Sequence, residues 1–259
     1  MEGIGGLIAM IRTWKTPGGS YSRLYNEFLH QTHFLIAGAT GAGKSTVVNG
    51  MIHAALYKAP CDIGFIFIDP KGCELDEYKH LPHTIYYASE LNDCVKALEY
   101  GMQLVKMRLA DMKRKKIRIY DGSDIYIFID ELMILMTRVR KEVLPTMQDI
   151  LSLARCTKIH LIACTQSPIA KVLPTELKCN FDSRLGLRTA TSQDSRNIIG
   201  IKGCENFPNP QTDHKAFGYY RHGADMEVYN LPLIEDNERY RLIEHWRKYG
   251  KGKLQLFRR

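Results

Sequence analysis

The chain has 259 residues, 45% hydrophobic and 25% charged, with a formal net charge of +8 at pH 7. That length supports one substantial core with little left for a second full domain, and no uncharged run approaches the roughly twenty apolar residues a membrane helix needs. Seven cysteines, at positions 61, 73, 94, 156, 164, 179 and 204, form no C-x-x-C pair, so they give no zinc spacing and read as reduced thiols of a cytoplasmic protein.

In chain order, residues 1–32 show weak periodicity and a turn at Pro17, Gly18 and Gly19, so they read as an irregular or strand-bearing lead-in. Glu2 stands where a secretion signal would carry positive charge. A short apolar strand, Phe34 to Ala37, then runs into Gly38, Ala39, Thr40, Gly41, Ala42, Gly43, Lys44, Ser45 and Thr46. The spelling is G-x-x-x-x-G-K-[ST], a loop whose glycines let successive backbone N–H groups converge on a phosphate. Lys44 is placed to reach the β- and γ-phosphates and Ser45 to ligate Mg²⁺, with the following helix aiming its positive end at the same charge. A chance glycine-rich turn would lack the flanks seen here, a strand before and an amphipathic stretch after it (Val47, Val48, Met51, Ile52, Ala55, Leu56).

A second buried strand, Ile63 to Ile68, ends at Asp69-Pro70. From Leu91 to Lys116, Leu98, Met102, Val105, Leu109 and Met112 recur at helical spacing. Ile125 to Ile129 is a strand, two helical segments span Glu131 to Arg155, and Ile159 to Cys164 is another strand. A strand at Arg184 to Leu187, a hairpin of Ala216–Tyr220 with Met226–Tyr229, and a helix from Asp236 to Tyr249 before a basic tail complete the pattern. Alternating apolar strands and helices predict an α/β fold with a mostly parallel sheet covered on both faces.

Two acids, Asp130 and Glu131, close the strand YIFI. After a phosphate loop, Asp130 is placed to hold Mg²⁺ and Glu131 to activate the water that attacks the γ-phosphate; the alternative is that Asp130 caps the next helix. Gln166, in the Thr165-Gln166 pair at the carboxyl edge of the sheet, is either a γ-phosphate sensor or an exposed loop amide. Arg108, Lys113, Arg114, Lys115, Lys116 and Arg118, locally opposed by Asp111, form either a phosphate-tracking surface or a solvated helix face. The tail residues Arg247, Lys248, Lys251, Lys253, Arg258 and Arg259 are ambiguous in the same way.

Taken together, HFLIAGATGAGKS, VVNGMIHAALYKA, FIFIDPKGCELDEYKHLPH, YIFIDEL, LARCTKIHLIACTQSP and Ser192-Gln-Asp-Ser-Arg196 resemble the motor domain of the FtsK/SpoIIIE family of DNA translocases, over about residues 33–233. The resemblance implies a RecA-like P-loop ATPase that forms a hexameric ring, hydrolyses ATP with Mg²⁺ at subunit interfaces and moves double-stranded DNA without reading bases. It makes Lys44, Ser45, Asp130, Glu131 and Gln166 the site and Arg155 the arginine given to a neighbour, with Arg184 and Arg196 as weaker candidates. Residues 1–32 would then be a lead-in and 234–259 a helix and tail, in a minimal motor of the kind expected on mobile elements. The family's Thr-Gln-Arg-Pro is here Thr165-Gln166-Ser167-Pro168, which removes a cation beside the sensor. Two other readings share these residues: a conjugation coupling protein working with a relaxase, and a nucleotide-switched assembly module.

Overall fold

A computed structural model describes residues 21–58, 62–213, 216–231 and 236–249. The order of elements is α1 (Tyr21–Leu29), β1 (His33–Ala37), α2 (Lys44–Lys58), β2 (Ile63–Ile68), β3 (Thr84–Ala88), α3 (Leu91–Lys115), β4 (Asp124–Ile129), α4 (Leu132–Arg138), α5 (Arg140–Leu153), β5 (Ile159–Thr165), α6 (Thr175–Lys178), β6 (Ser183–Leu187), α7 (Ser192–Ile199), α8 (Pro210–Asp213), β7 (Ala216–His222), β8 (Asp225–Leu231) and α9 (Asp236–Tyr249). Among the described residues, the strands form one eight-stranded sheet in the order β3-β2-β4-β5-β1-β6-β7-β8. The first six strands of that order pair in parallel, and the β7–β8 hairpin adds to β6 in antiparallel fashion.

The strands read as unbroken apolar runs because both sheet faces are covered, and their period of two sorts the side chains. Phe34, Ile36, Phe65, Phe67, Tyr126, Phe128 and Ile162 face α1, α2 and α9. Leu35, Ile66, Ile68, Ile125, Ile127, Ile129 and Leu161 face α3, α4 and α5. The first face is mostly aromatic and the second aliphatic, so a slip of one residue in any strand would exchange the two sets.

Three differences from the sequence reading stand out. Residues 21–29 are helical rather than irregular or extended: Leu24, Tyr25, Phe28 and Leu29 are buried, and the Tyr25 ring lies so close to Gly50 of α2 that a Cβ there would collide with it. That close approach is what the glycine permits. The strand β3, TIYYA, was not anticipated; it is the half-buried edge of the sheet. The segment Ser192–Ile199 is helical, with Thr191 accepting from the Asp194 N–H as its cap and Gly200 closing it in a left-handed conformation. The earlier part of the lead-in, residues 1–20, lies outside the described residues.

Among the described residues, no helix is long and apolar enough to cross a membrane.

Candidate active site

The phosphate loop starts where β1 stops and hangs between the ends of its two neighbours. The Gly38 N–H donates to the Thr165 carbonyl of β5 at 3.2 Å and the Ala39 N–H to the Arg188 carbonyl beyond β6 at 2.8 Å. Gly41 and Gly43 sit at φ of 74° and 97°, in the left-handed region that a side chain disfavours. The helix α2 begins at Lys44, so its free N–H groups open onto the cleft. Lys44 Nζ donates to the carbonyls of Gly38 at 2.8 Å and Ala39 at 3.0 Å. Burial lowers the Lys44 pKa, opposed by Glu131 and Asp130.

The acids at the end of β4 face this loop because β4 and β1 sit on either side of β5, all three running parallel. Glu131 is fully buried, and its Oε1 accepts from the Gln166 N–H at 3.1 Å and the Met133 N–H at 3.4 Å. Its Oε2 meets Lys71 Nζ at 3.4 Å. Gln166 completes a chain to the phosphate loop, since its side-chain Oε1 accepts from the Thr40 hydroxyl at 3.0 Å. The helix-cap alternative raised for Asp130 falls instead to Glu131, the N-cap residue of α4.

Asp130 has a different environment. It is buried, its Oδ2 has no hydrogen-bond partner among the described residues, and Lys71 Nζ stands 3.9 Å away. Burial, with Asp69 nearby, pushes its pKa up to about 7. A buried carboxylate that the chain leaves under-compensated suits a hard divalent cation. No group of three or more His, Cys, Asp or Glu side chains gathers into a metal cage among the described residues. Mg²⁺ usually needs none, being held by one or two protein oxygens together with phosphates and water. Asp130 and Ser45, which both line the cleft, fit that mode.

That cleft, of about 330 Å³, is lined by Thr40, Lys44, Ser45, Asp130 and Gln166, and also by residues to which the sequence alone assigns no role, Lys71 and Gln211. Lys71 is presented by a loop organised around Asp69. This fully buried carboxylate accepts from the N–H groups of Lys71 at 3.2 Å, Gly72 at 3.0 Å, Glu74 at 2.9 Å and Leu75 at 2.9 Å. Burial works against the Lys71 charge, but Glu131 and Asp130 outweigh it and raise its pKa. An acid followed by proline at the end of a buried strand was the available signal.

Arg155 is not brought to this cleft. It lies on the turn before β5, at the amino edge of the sheet, one strand length or about 20 Å from the phosphate loop. There it holds both oxygens of Asp182, at 2.9 and 2.8 Å, with its side chain 67% exposed. Arg184 shares that region but is committed to carbonyl groups, those of Lys178 at 3.0 Å, Phe181 at 3.4 Å and Ile198 at 3.5 Å. Arg196 is exposed in the last turn of α7.

The proposed basic surface is smaller than the sequence suggested. Arg108 is buried, donates to the carbonyls of Thr157 at 2.7 Å and Lys158 at 3.1 Å, and stacks over Tyr120 at 4.4 Å. It ties α3 to the start of β5. Arg114 and Lys115 are drawn to Asp111, at 2.5 and 3.0 Å. Lys113, Lys116 and Arg118 remain exposed. In the tail, Arg247 docks α9 by donating to the Glu77 carbonyl at 2.7 Å, Lys248 is exposed, and Lys251, Lys253, Arg258 and Arg259 lie outside the described residues.

Residues 18–203 match the FtsK/SpoIIIE family. The chain belongs to that family. Its similarity to the DNA translocase FtsK of Borreliella burgdorferi is 29% identity over 86% of this chain and 30% of that protein. With the FtsK of Leptospira interrogans it is 30% over 85% and 25%. The chain therefore spans between a quarter and a third of these relatives. In structure it is similar to the pCW3 conjugation coupling protein TcpA (TM-score 0.72, 22% identity, 85% of this chain and 66% of TcpA). The cytoplasmic domain of the Thermomonospora curvata type VII secretion ATPase EccC gives a TM-score of 0.71 at 18% identity, over 88% of this chain and 29% of that one. Both likenesses bear on the fold, which is that of the P-loop ATPases.

Proposed function

We propose that this chain is the ATP-hydrolysing motor unit of a DNA translocase, comprising residues 33–233, that assembles as a ring, most simply a hexamer, around double-stranded DNA. The observation that carries the reading is the continuous connection from Thr40 through Gln166 to Glu131, which ties the phosphate loop to a buried carboxylate next in the chain to Asp130 of the cleft lining. A pure nucleotide switch has no need of a base there.

The cleft supplies the parts of phosphoryl transfer to water. Within the loop of residues 38–46, the backbone N–H groups that are not already held by neighbouring carbonyls bind and orient the triphosphate together with the α2 terminus, and Lys44 exchanges its loop carbonyls for phosphate oxygens. Ser45 and Asp130 hold Mg²⁺, which when bound offsets charge on the β- and γ-phosphates. Glu131 Oε2 accepts the proton of the attacking water, its carboxylate oriented by the Gln166 and Met133 N–H groups. Gln166, linked to Thr40 on the loop, senses the terminal phosphate.

The exposed Arg155 belongs in this reading to the neighbour's site, where its charge stabilises the transferring phosphoryl group. Its distance from the chain's own loop supports that division, and hydrolysis then depends on assembly. Contact with duplex DNA is through phosphates, with no base reading, and its strength falls with salt.

The test is turnover with linear duplex DNA at low and moderate salt. Duplex raises the rate and salt abolishes the rise; Lys44→Ala removes nucleotide binding, and Glu131→Gln binds ATP without turning it over. Unchanged turnover on adding duplex at low salt rejects translocation, and full activity in Glu131→Gln rejects the role of that acid. A preference for single-stranded DNA with co-purification of a relaxase would select the coupling-protein reading.

A further inference from the structure

The water-activating oxygen assigned above is not free. Glu131 Oε1 is held by two backbone N–H groups, and Oε2 meets one group among the described residues, Lys71 Nζ at 3.4 Å. A charge-assisted pair normally closes to about 2.7–2.9 Å. Here a single ammonium is shared between two carboxylates, at 3.4 Å from Glu131 and 3.9 Å from Asp130, and makes an optimal bond with neither. The root of Lys71 is nonetheless fixed by the four N–H donors gathered on Asp69. A third of its side chain faces the cleft that Lys44 and Ser45 also line.

We propose that Lys71 is a positioning residue that responds to the terminal phosphate: it guards Glu131 Oε2 until a triphosphate enters, then transfers its ammonium to the γ-phosphate and leaves that oxygen open to water. The inference rests on the ATPase reading of the cleft. Its physical basis is a competition for one cation between a carboxylate held off optimal distance and a more highly charged anion bound within reach of the same flexible side chain. ADP, lacking the terminal phosphate, leaves Lys71 with Glu131. The device thus prevents the base from being presented unless there is a bond to cleave.

Calorimetric binding of ATPγS and ADP to the full chain tests this. Lys71→Met weakens ATPγS by roughly tenfold, the worth of one charge-assisted bond, and ADP by less than about twofold. Glu131→Gln, which relaxes the hold on Lys71, tightens ATPγS when Lys71 is present and has no such effect in the Lys71→Met background. Lys71→Arg keeps the preference for ATPγS, and serves as the decisive variant if Lys71→Met proves unstable. Equal weakening of both nucleotides in Lys71→Met, an unchanged Glu131→Gln effect without Lys71, or loss of the preference in Lys71→Arg would each overturn the proposal. A wild-type protein that bound neither nucleotide would instead remove the ATPase reading beneath it.

Discussion

Replacing Asp69 by Asn probes the loop that carries Lys71 without touching the phosphate loop. The carboxylate accepts Lys71 and Gly72 N–H groups on one oxygen and Glu74 and Leu75 N–H groups on the other. An amide keeps one acceptor oxygen and turns an NH₂ toward the other two donors, leaving them unpaired. An unpaired buried donor costs about 1–3 kcal/mol; Leu75 is buried while Lys71, Gly72 and Glu74 are exposed, so the loss is about 3 kcal/mol when the NH₂ faces the Leu75 side. For a domain of this size that lowers Tm by about 6–12 °C. The assay is thermal unfolding with chemical denaturation alongside, followed by nucleotide binding on the folded fraction. The variant loses both stability and its preference for ATPγS over ADP. A loss below about 1 kcal/mol, with the preference intact, would show that the four bonds do not organise this loop.

Arg108→Met strands two carbonyl groups at the start of β5 and costs about 2–4 kcal/mol in denaturant unfolding, while duplex affinity stays as in the wild type; a drop in affinity at unchanged stability would restore Arg108 to the DNA surface. Burial pushes the pKa values of His33 and His53 down to about 3, below the unfolded value, so stability is lost as pH falls through 6.5. Asp130, raised to about 7, acts oppositely and gains stability over the same interval, because the native state binds the proton first. Without metal or nucleotide, going from about pH 7.5 to about pH 5.5 costs roughly 3 kcal/mol through the histidines and returns roughly 2 through Asp130, so Asp130→Asn steepens the acid loss; an identical slope in both proteins contradicts the environment described for Asp130.

Much of this molecule is legible in its sequence because the strands are buried on two faces and the helices on one. The phosphate loop, the acidic pair and Gln166 all follow strand ends, and a parallel sheet carries such positions to one edge. What escaped has physical reasons. The α1 helix has only nine residues and owes its place to Tyr25 and Phe28 packing on α2 and the sheet, a tertiary effect that no local pattern carries. The strand β3 is an edge, half-buried, so its Ile85, Tyr86 and Tyr87 do not read as a core run, although its β-branched and aromatic content bounded by Pro82 and Ser89 was a usable signal.

Arg108 was misassigned by charge when spacing told otherwise. It falls three residues after Val105 and four before Met112, on the buried stripe of α3, and a periodicity reading would have separated it from Lys113 and Lys116. Lys71 shows the opposite limit. Its place beside Glu131 depends on β2 and β4 being neighbours, and strand order is not written in any local motif.

In the proposed motor, the phosphate loop of one subunit and the exposed arginine of the next complete a single site around threaded DNA. Electron microscopy of the chain with a non-hydrolysable ATP analogue, Mg²⁺ and linear duplex examines this directly. The expected particle is a closed ring with duplex in its channel, the analogue held between the loop ending at Ser45 and the neighbour's Arg155. Monomers that bind the analogue alone, or rings whose nucleotide lies far from every Arg155, contradict it.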